Sequence, residues 1–141
     1  MVAPVTNSLQ QWLQDWLHEI GAVAGSMHIH ENGGLRLAAA VNIPQRVQDV
    51  VAWVPSGKGM AGLALERNQP IQTCNLQDDQ SGAVRPGAKA VDARAAVALP
   101  LHGGSGEIVA VVGAAFAEEG EISESELQRI IAAAGQPPIA P

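Results

Sequence analysis

One cysteine, no tyrosine, one phenylalanine and eight basic side chains are the scarcities of this 141-residue chain. The single thiol, Cys74, excludes an internal disulfide framework and suits a reducing compartment, so a cytoplasmic location is expected. Eight Lys and Arg against fourteen Asp and Glu leave a net charge of -6, which argues against a nucleic-acid partner, since a phosphate backbone is met by clustered cations. No aromatic residues interleave those cations. The longest apolar run, residues 108–117, is about half of what a membrane span needs. The first residues also lack a basic segment followed by an apolar core, so neither a membrane nor a secretory route is expected. Repeats, sustained heptads and low-complexity tracts are missing as well. What is present is globular: 47% of residues are apolar and 16% charged, rich in Ala, Val and Gly. The expected organisation is one domain over residues 1–136 and a Pro-rich tail over 137–141.

Leu9, Trp12, Leu13, Trp16, Leu17 and Ile20 recur at helical spacing and predict an amphipathic helix, begun by a Ser8–Gln11 capping box and stopped by Gly21. Residues 22–30 and 35–41 read as strands joined by the turn Glu31-Asn32-Gly33-Gly34. Pro44 stands where a first helical residue belongs, and Val47, Val50, Val51 and Val54 follow at helical spacing up to Pro55. The turn Gly57-Lys58-Gly59 then feeds a short apolar helix that Asn68-Gln69-Pro70 closes. A strand over 71–76 leads into a polar loop, 77–93, long enough to fold over a pocket as a lid. Residues 95–101 and 108–116 read as a central antiparallel pair. Ser123 with Glu126 caps a final helix carrying Leu127, Ile130, Ile131 and Ala134, which Gly135 and Pro137 end. The fold class expected is α+β: a central antiparallel sheet of five to six strands, terminal helices on one face, middle helices and loop on the other.

Taken together, residues 12–131 resemble a GAF domain, the small-molecule-sensing relative of the PAS fold. The resemblance rests on the hairpin from Gly25-Ser26-Met27 to Leu37, the turn Gly57-Lys58-Gly59-Met60-Ala61-Gly62, Asn75 before Leu76, Leu99-Pro100-Leu101 and the 108–116 strand, in family order. Where many relatives have Asp, this chain has Asn75. The Asn-Lys…Phe…Asp-Glu signature of the cyclic-nucleotide subgroup is missing, and Cys74 precedes Asn75 rather than the His that often follows a bilin-binding cysteine. Three Trp and one Phe also offer few rings to a tetrapyrrole. Relatives that reduce free methionine sulfoxide use several pocket cysteines, because a second thiol resolves the sulfenic acid formed on the first. The resemblance therefore implies a free-standing, non-enzymatic sensory domain that binds a small metabolite and relays a signal to a separate protein. It also implies a homodimer built on the terminal helices, with Trp12, Trp16, Ile130 and Ile131 at the interface. Two alternatives stay open: a ligand-free dimerisation module, and a thiol-dependent oxidoreductase of the free methionine-(R)-sulfoxide reductase type. No cofactor is named by the sequence.

Candidate site residues gather around the glycine-rich turn. It is neither a Walker motif nor a dinucleotide fingerprint, yet a turn feeding a helix N-terminus presents free amides to an anion. Lys58 stands there, and Arg85, Lys89 and Arg94 add positive charge in an otherwise acidic chain. The expected ligand is thus anionic or zwitterionic, with Trp53, Met60, Cys74, Val97 and Leu99 as apolar lining. The competing account is a solvated basic loop beside a structural turn. Cys74 reads more readily as a small hydrophobe than as a nucleophile, having no His beside it in sequence. His28 and His30 share a strand face at metal-ligand spacing, but a hydrogen-bonded pair is the better reading, and no metal or catalytic residue is expected.

Overall fold

The computed structural model describes residues 5–73, 95–117 and 122–135. Helix α1 (Val5–Ile20) is followed by the hairpin β1 (Ala24–Glu31) and β2 (Gly34–Val41), then α2 (Gln45–Val50), β3 (Trp53–Pro55), α3 (Gly59–Arg67) and β4 (Ile71–Thr73). Strands β5 (Ala95–His102) and β6 (Ile108–Phe116) and helix α4 (Glu124–Ala134) complete it. The six strands form one antiparallel sheet in the order β3-β2-β1-β6-β5-β4. The α+β class, the sheet and the placement of terminal and middle helices on opposite faces agree with the sequence.

The sheet's two faces carry separate cores. On one, Leu9, Leu13, Trp16 and Leu17 of α1 and Leu127 and Ile130 of α4 pack on Met27, Leu99 and Val112. On the other, Ala64 and Leu65 of α3 meet Leu35, Val54, Ala98 and Val111. Val111 and Val112 thus serve opposite cores, as the two-residue period of a strand requires. Burying each large aliphatic side chain contributes about 1.5–3 kcal/mol. Two polar contacts fix α1 within its core. The Trp16 indole Nε1–H donates to the Ile130 carbonyl at 3.1 Å, and the Gln10 amide both donates to the Ala40 carbonyl (2.6 Å) and accepts from the Ala40 amide (3.3 Å). Strand β3 pairs with β2 only at residues 34–36, so Gln10 occupies backbone groups that would otherwise form an open edge.

Several local expectations are corrected. Ser8 lies a turn inside α1 rather than capping it. Pro44 is the N-cap of α2, not its first helical residue, and α2 ends at Val50, so Val54 is not on a helix. Instead Trp53-Val54-Pro55 forms an edge strand, with Val54 buried between two exposed neighbours. Pro55 explains this outcome: its ring disfavours α geometry at Val54, and an edge strand tolerates its missing N–H. Ser123 does cap α4, accepting from the Glu126 amide at 3.2 Å, but the Glu126 carboxylate turns to Arg129 instead of completing the box. The strand expected over 71–76 is described as far as Thr73, and the 77–93 loop and the tail lie outside the described residues.

The closeness of α1 to the sheet depends on Gly25. A Cβ there would lie 2.6 Å from both the Gly113 carbonyl oxygen and a Leu17 methyl. Gly25→Ala is expected to cost about 1–3 kcal/mol of unfolding free energy through overpacking. Gly113→Ala, whose added methyl meets nothing closer than 3.4 Å, should stay within about 0.5 kcal/mol of the parent. Urea denaturation of both variants checks the contrast.

Candidate functional site

Strands β1, β6 and β5 lie side by side, and their registers align small residues in three rows. Ala24 faces Ala115, which faces Ala96; Gly25 faces Ala114, which faces Val97; Ser26 faces Gly113, which faces Ala98. Side chains alternate between sheet faces. The middle row therefore turns to α1, where Ala114 and Val97 join the terminal-helix core, and the outer rows turn to α2 and α3. Methyl groups and a bare glycine cannot fill the space beneath those helices, and a cavity of about 160 Å³ results. Val47 and Val51 of the α2 segment, Val54 of β3 and the start of α3 wall it.

The glycine-rich turn sets that last wall. Gly57 has φ 87° and Gly59 φ 65°, a left-handed backbone that favours glycine. The Gly57 amide donates to the Gly62 carbonyl (2.8 Å), and the Lys58 amide to the Pro55 carbonyl (3.1 Å). These bonds fold the start of α3 back against the end of β3. Lys58 itself is an exposed residue at the cavity rim.

His28 is the buried polar residue of the wall. It is 3% exposed, and its Nε2 lies 2.9 Å from the Val51 carbonyl, so that nitrogen carries the proton and donates, tying β1 to the end of α2. Nδ1 is then the lone-pair nitrogen, buried without a partner among the described residues. Burial holds the imidazole below its usual pKa, the Val51 hydrogen bond opposing the shift less strongly. His30 does not join His28 in a common site; its Nδ1 lies 3.0 Å from the Ile108 carbonyl. His102 is paired with Asn68 Oδ1 at 2.6 Å. Among the described residues no group of three or more His, Cys, Asp or Glu could hold a metal ion.

Of the residues expected at the site, Lys58, Met60 and Val97 line the cavity. Trp53 and Leu99 are not among its lining residues. Trp53, 44% exposed, lies over Gly34 at the sheet edge, and Leu99 is buried in the α1 core on the same strand face as Val97. Cys74, Arg85, Lys89 and Arg94 lie outside the described residues, so Lys58 is the described member of the expected basic group. Of the dimer candidates, Trp16 and Ile130 are 2% and 1% exposed within the protomer, whereas Trp12 is half-buried and Ile131 is 37% exposed. The floor alanines, Ser26, Val47 and Val51 were not singled out as lining from sequence. Their signal was the run of small residues at 24–26, 95–98 and 113–115, which becomes a surface only once the three strands are in register.

Fold and cavity define an α+β module with a pocket between one sheet face and a pair of short helices. The GAF domain profile matches residues 7–136, and the chain belongs to the GAF domain family. Solved structures share the architecture at low identity. The GAF domain of a phosphoenolpyruvate-protein phosphotransferase from Coxiella burnetii is 21% identical, with a TM-score of 0.72 over 94% of this chain and 82% of that one. A type II free methionine-R-sulfoxide reductase from Thermoplasma acidophilum is 15% identical, with a TM-score of 0.71 over 92% and 86%. The free methionine-R-sulfoxide reductase from Neisseria meningitidis, solved with its substrate, is 14% identical, with a TM-score of 0.64 over 93% and 75%. Comparison with curated proteins gives no significant match. No helix among the described residues is long and apolar enough to cross a membrane.

The lowered pKa of His28 makes stability depend on pH. The unfolded chain binds the imidazole proton more readily, so the stabilisation is complete above about pH 6.5 and declines as pH falls from there toward the folded-state pKa. Urea unfolding between pH 8 and 5 should show an acid-side slope from this group of at most about 1.4 kcal/mol per pH unit. The slope should flatten in His28→Gln. An identical slope in the variant would assign the pH dependence to other groups.

Proposed function

We propose that this GAF domain is a non-catalytic regulatory module that binds a small molecule in the cavity beneath α2 and α3. The observation that carries the reading is the three-strand floor, whose small side chains leave a cavity of about 160 Å³. A domain with no use for the space would gain stability by filling it, since cavity surface forfeits dispersion contacts. The substrate complex of the Neisseria meningitidis relative supports the reading by showing that fold holding a small molecule. The single cysteine supports the non-catalytic half, because thiol reduction of a sulfoxide leaves a sulfenic acid that a second thiol resolves.

Occupancy reaches the opposite face through shared residues. Val97 and Ala114 belong both to the cavity lining and to the core on which α1 packs. The seam of α1 and α4 is the output face in this reading. Trp12, stacked on Trp16 with ring centroids 5.8 Å apart, and exposed Ile131 would meet a second copy or a separate signalling protein there.

Native mass spectrometry of the protein purified from cells tests the ligand. A mass excess lost on denaturation is expected and would give the ligand's weight. A bare dimer, with a melting temperature indifferent to a metabolite panel, would instead favour a ligand-free dimerisation module. Ile131→Asp tests the output face separately: it should leave folding within about 0.5 kcal/mol of the parent. Sedimentation should show the dimer falling to monomer. A variant that still sediments as a dimer would place the interface elsewhere.

A further inference from the structure

Resting on the cavity as the ligand site, the geometry points to the class of ligand: a neutral, flat molecule about the size of one aromatic ring, with a single hydrogen-bonding group met by Ser26. Size is the first argument. A cavity of about 150 Å³ lined by aliphatic and aromatic side chains is known to stay dry and to take benzene, and the volume here is about 160 Å³. Shape is the second. The floor is three adjacent strands whose cavity-facing rows consist of alanines, Ser26 and the bare backbone of Gly113, a low surface suited to a planar face.

Charge is the third argument. Among the described residues no charged side chain lies on the floor, and the described lining is predominantly apolar. Lys58 is exposed at the rim, where water screens its charge, and buried His28 is held neutral by desolvation. A carboxylate entering the cavity would lose its hydration with no fixed cation among the described floor residues to replace it. Ser26 is the polar side chain of the floor, His28 belonging to the wall. Its hydroxyl oxygen lies 3.4 Å from where a Cβ on Gly113 would stand, which puts it over the floor, and a hydroxyl both donates and accepts. The described floor thus favours an uncharged ligand, while Arg85, Lys89 and Arg94, on which the expectation of an anionic one rested, lie outside the described residues.

Titration with toluene, phenol and benzoate, followed by amide chemical shifts of the cavity residues, tests the inference. Phenol and toluene are expected to bind at least about tenfold tighter than benzoate. Ser26→Ala should weaken phenol by about two- to tenfold while leaving toluene unchanged. Ala98→Leu, which fills the floor, should abolish binding of all three with the circular dichroism of the parent retained. If that variant does not fold, Val47→Phe fills the same space from the opposite wall. Benzoate binding as tightly as phenol would overturn the neutral class yet leave the cavity as a ligand site. Phenol binding unaffected by Ser26→Ala would overturn the role of that hydroxyl. No shift with any of the three probes up to their solubility would overturn the ligand class, whereas a mass excess in the native protein would keep the cavity as a ligand site.

Discussion

Strand β6 must satisfy two cores at once, and the consequences of that constraint run through the molecule. It lies between β1 and β5, with α1 and α4 over one face and α3 over the other, so no position along its centre faces open water. The sequence meets this demand with an uninterrupted apolar strand rather than an alternating one, unlike antiparallel sheets with one wet face. Within the strand, side-chain size changes partway. Val111 and Val112 fill both cores completely, whereas Gly113, Ala114 and Ala115 leave one face underfilled. The cavity sits over that underfilled end.

The neighbouring strands make the change of size into a site. Because β5 and β1 both run antiparallel to β6, the small ends of all three come together: the start of β1, the start of β5 and the end of β6. One shifted register would place Leu99 or Met27 among them and fill the space. The register is pinned from the other face, where Gly25 admits Leu17 of α1 against the Gly113 carbonyl. The packing of the terminal helix and the shape of the pocket are thus two results of one alignment.

The roof is held by polar contacts. Helix α2 has six residues and one buried side chain, Val47, too little apolar contact to fix its place by burial alone. The His28–Val51 hydrogen bond supplies a tether from the sheet, and the bond from the Leu37 amide to the Ala52 carbonyl supplies another at 2.9 Å. A short helix secured at its C-terminal end belongs to the low-stability part of a fold, where ligand-responsive elements are drawn from.

Amphipathic periodicity determined α1 and α4, glycine and proline punctuation determined the hairpin and the turn before α3, and apolar runs determined β5 and β6. These signals are local, carried by residues within a few turns or a single strand of one another, and with the family resemblance they were enough for the fold class and the two-faced sheet. The errors arose where local signals conflicted. Val47, Val50, Val51 and Val54 kept a helical spacing, but Val54 was claimed by pairing with Leu35 once Pro55 barred the helix. The site was less legible. Lys58 and Met60 were placed by the glycine turn itself and Val97 as apolar lining, whereas Trp53 lies over Gly34 at the sheet edge and Leu99 lies further along β5 in the α1 core, away from the described cavity. Small residues have no periodicity of their own, and only the register of three strands, two of them distant in sequence from the third, decided that six of them would meet as the floor of a cavity.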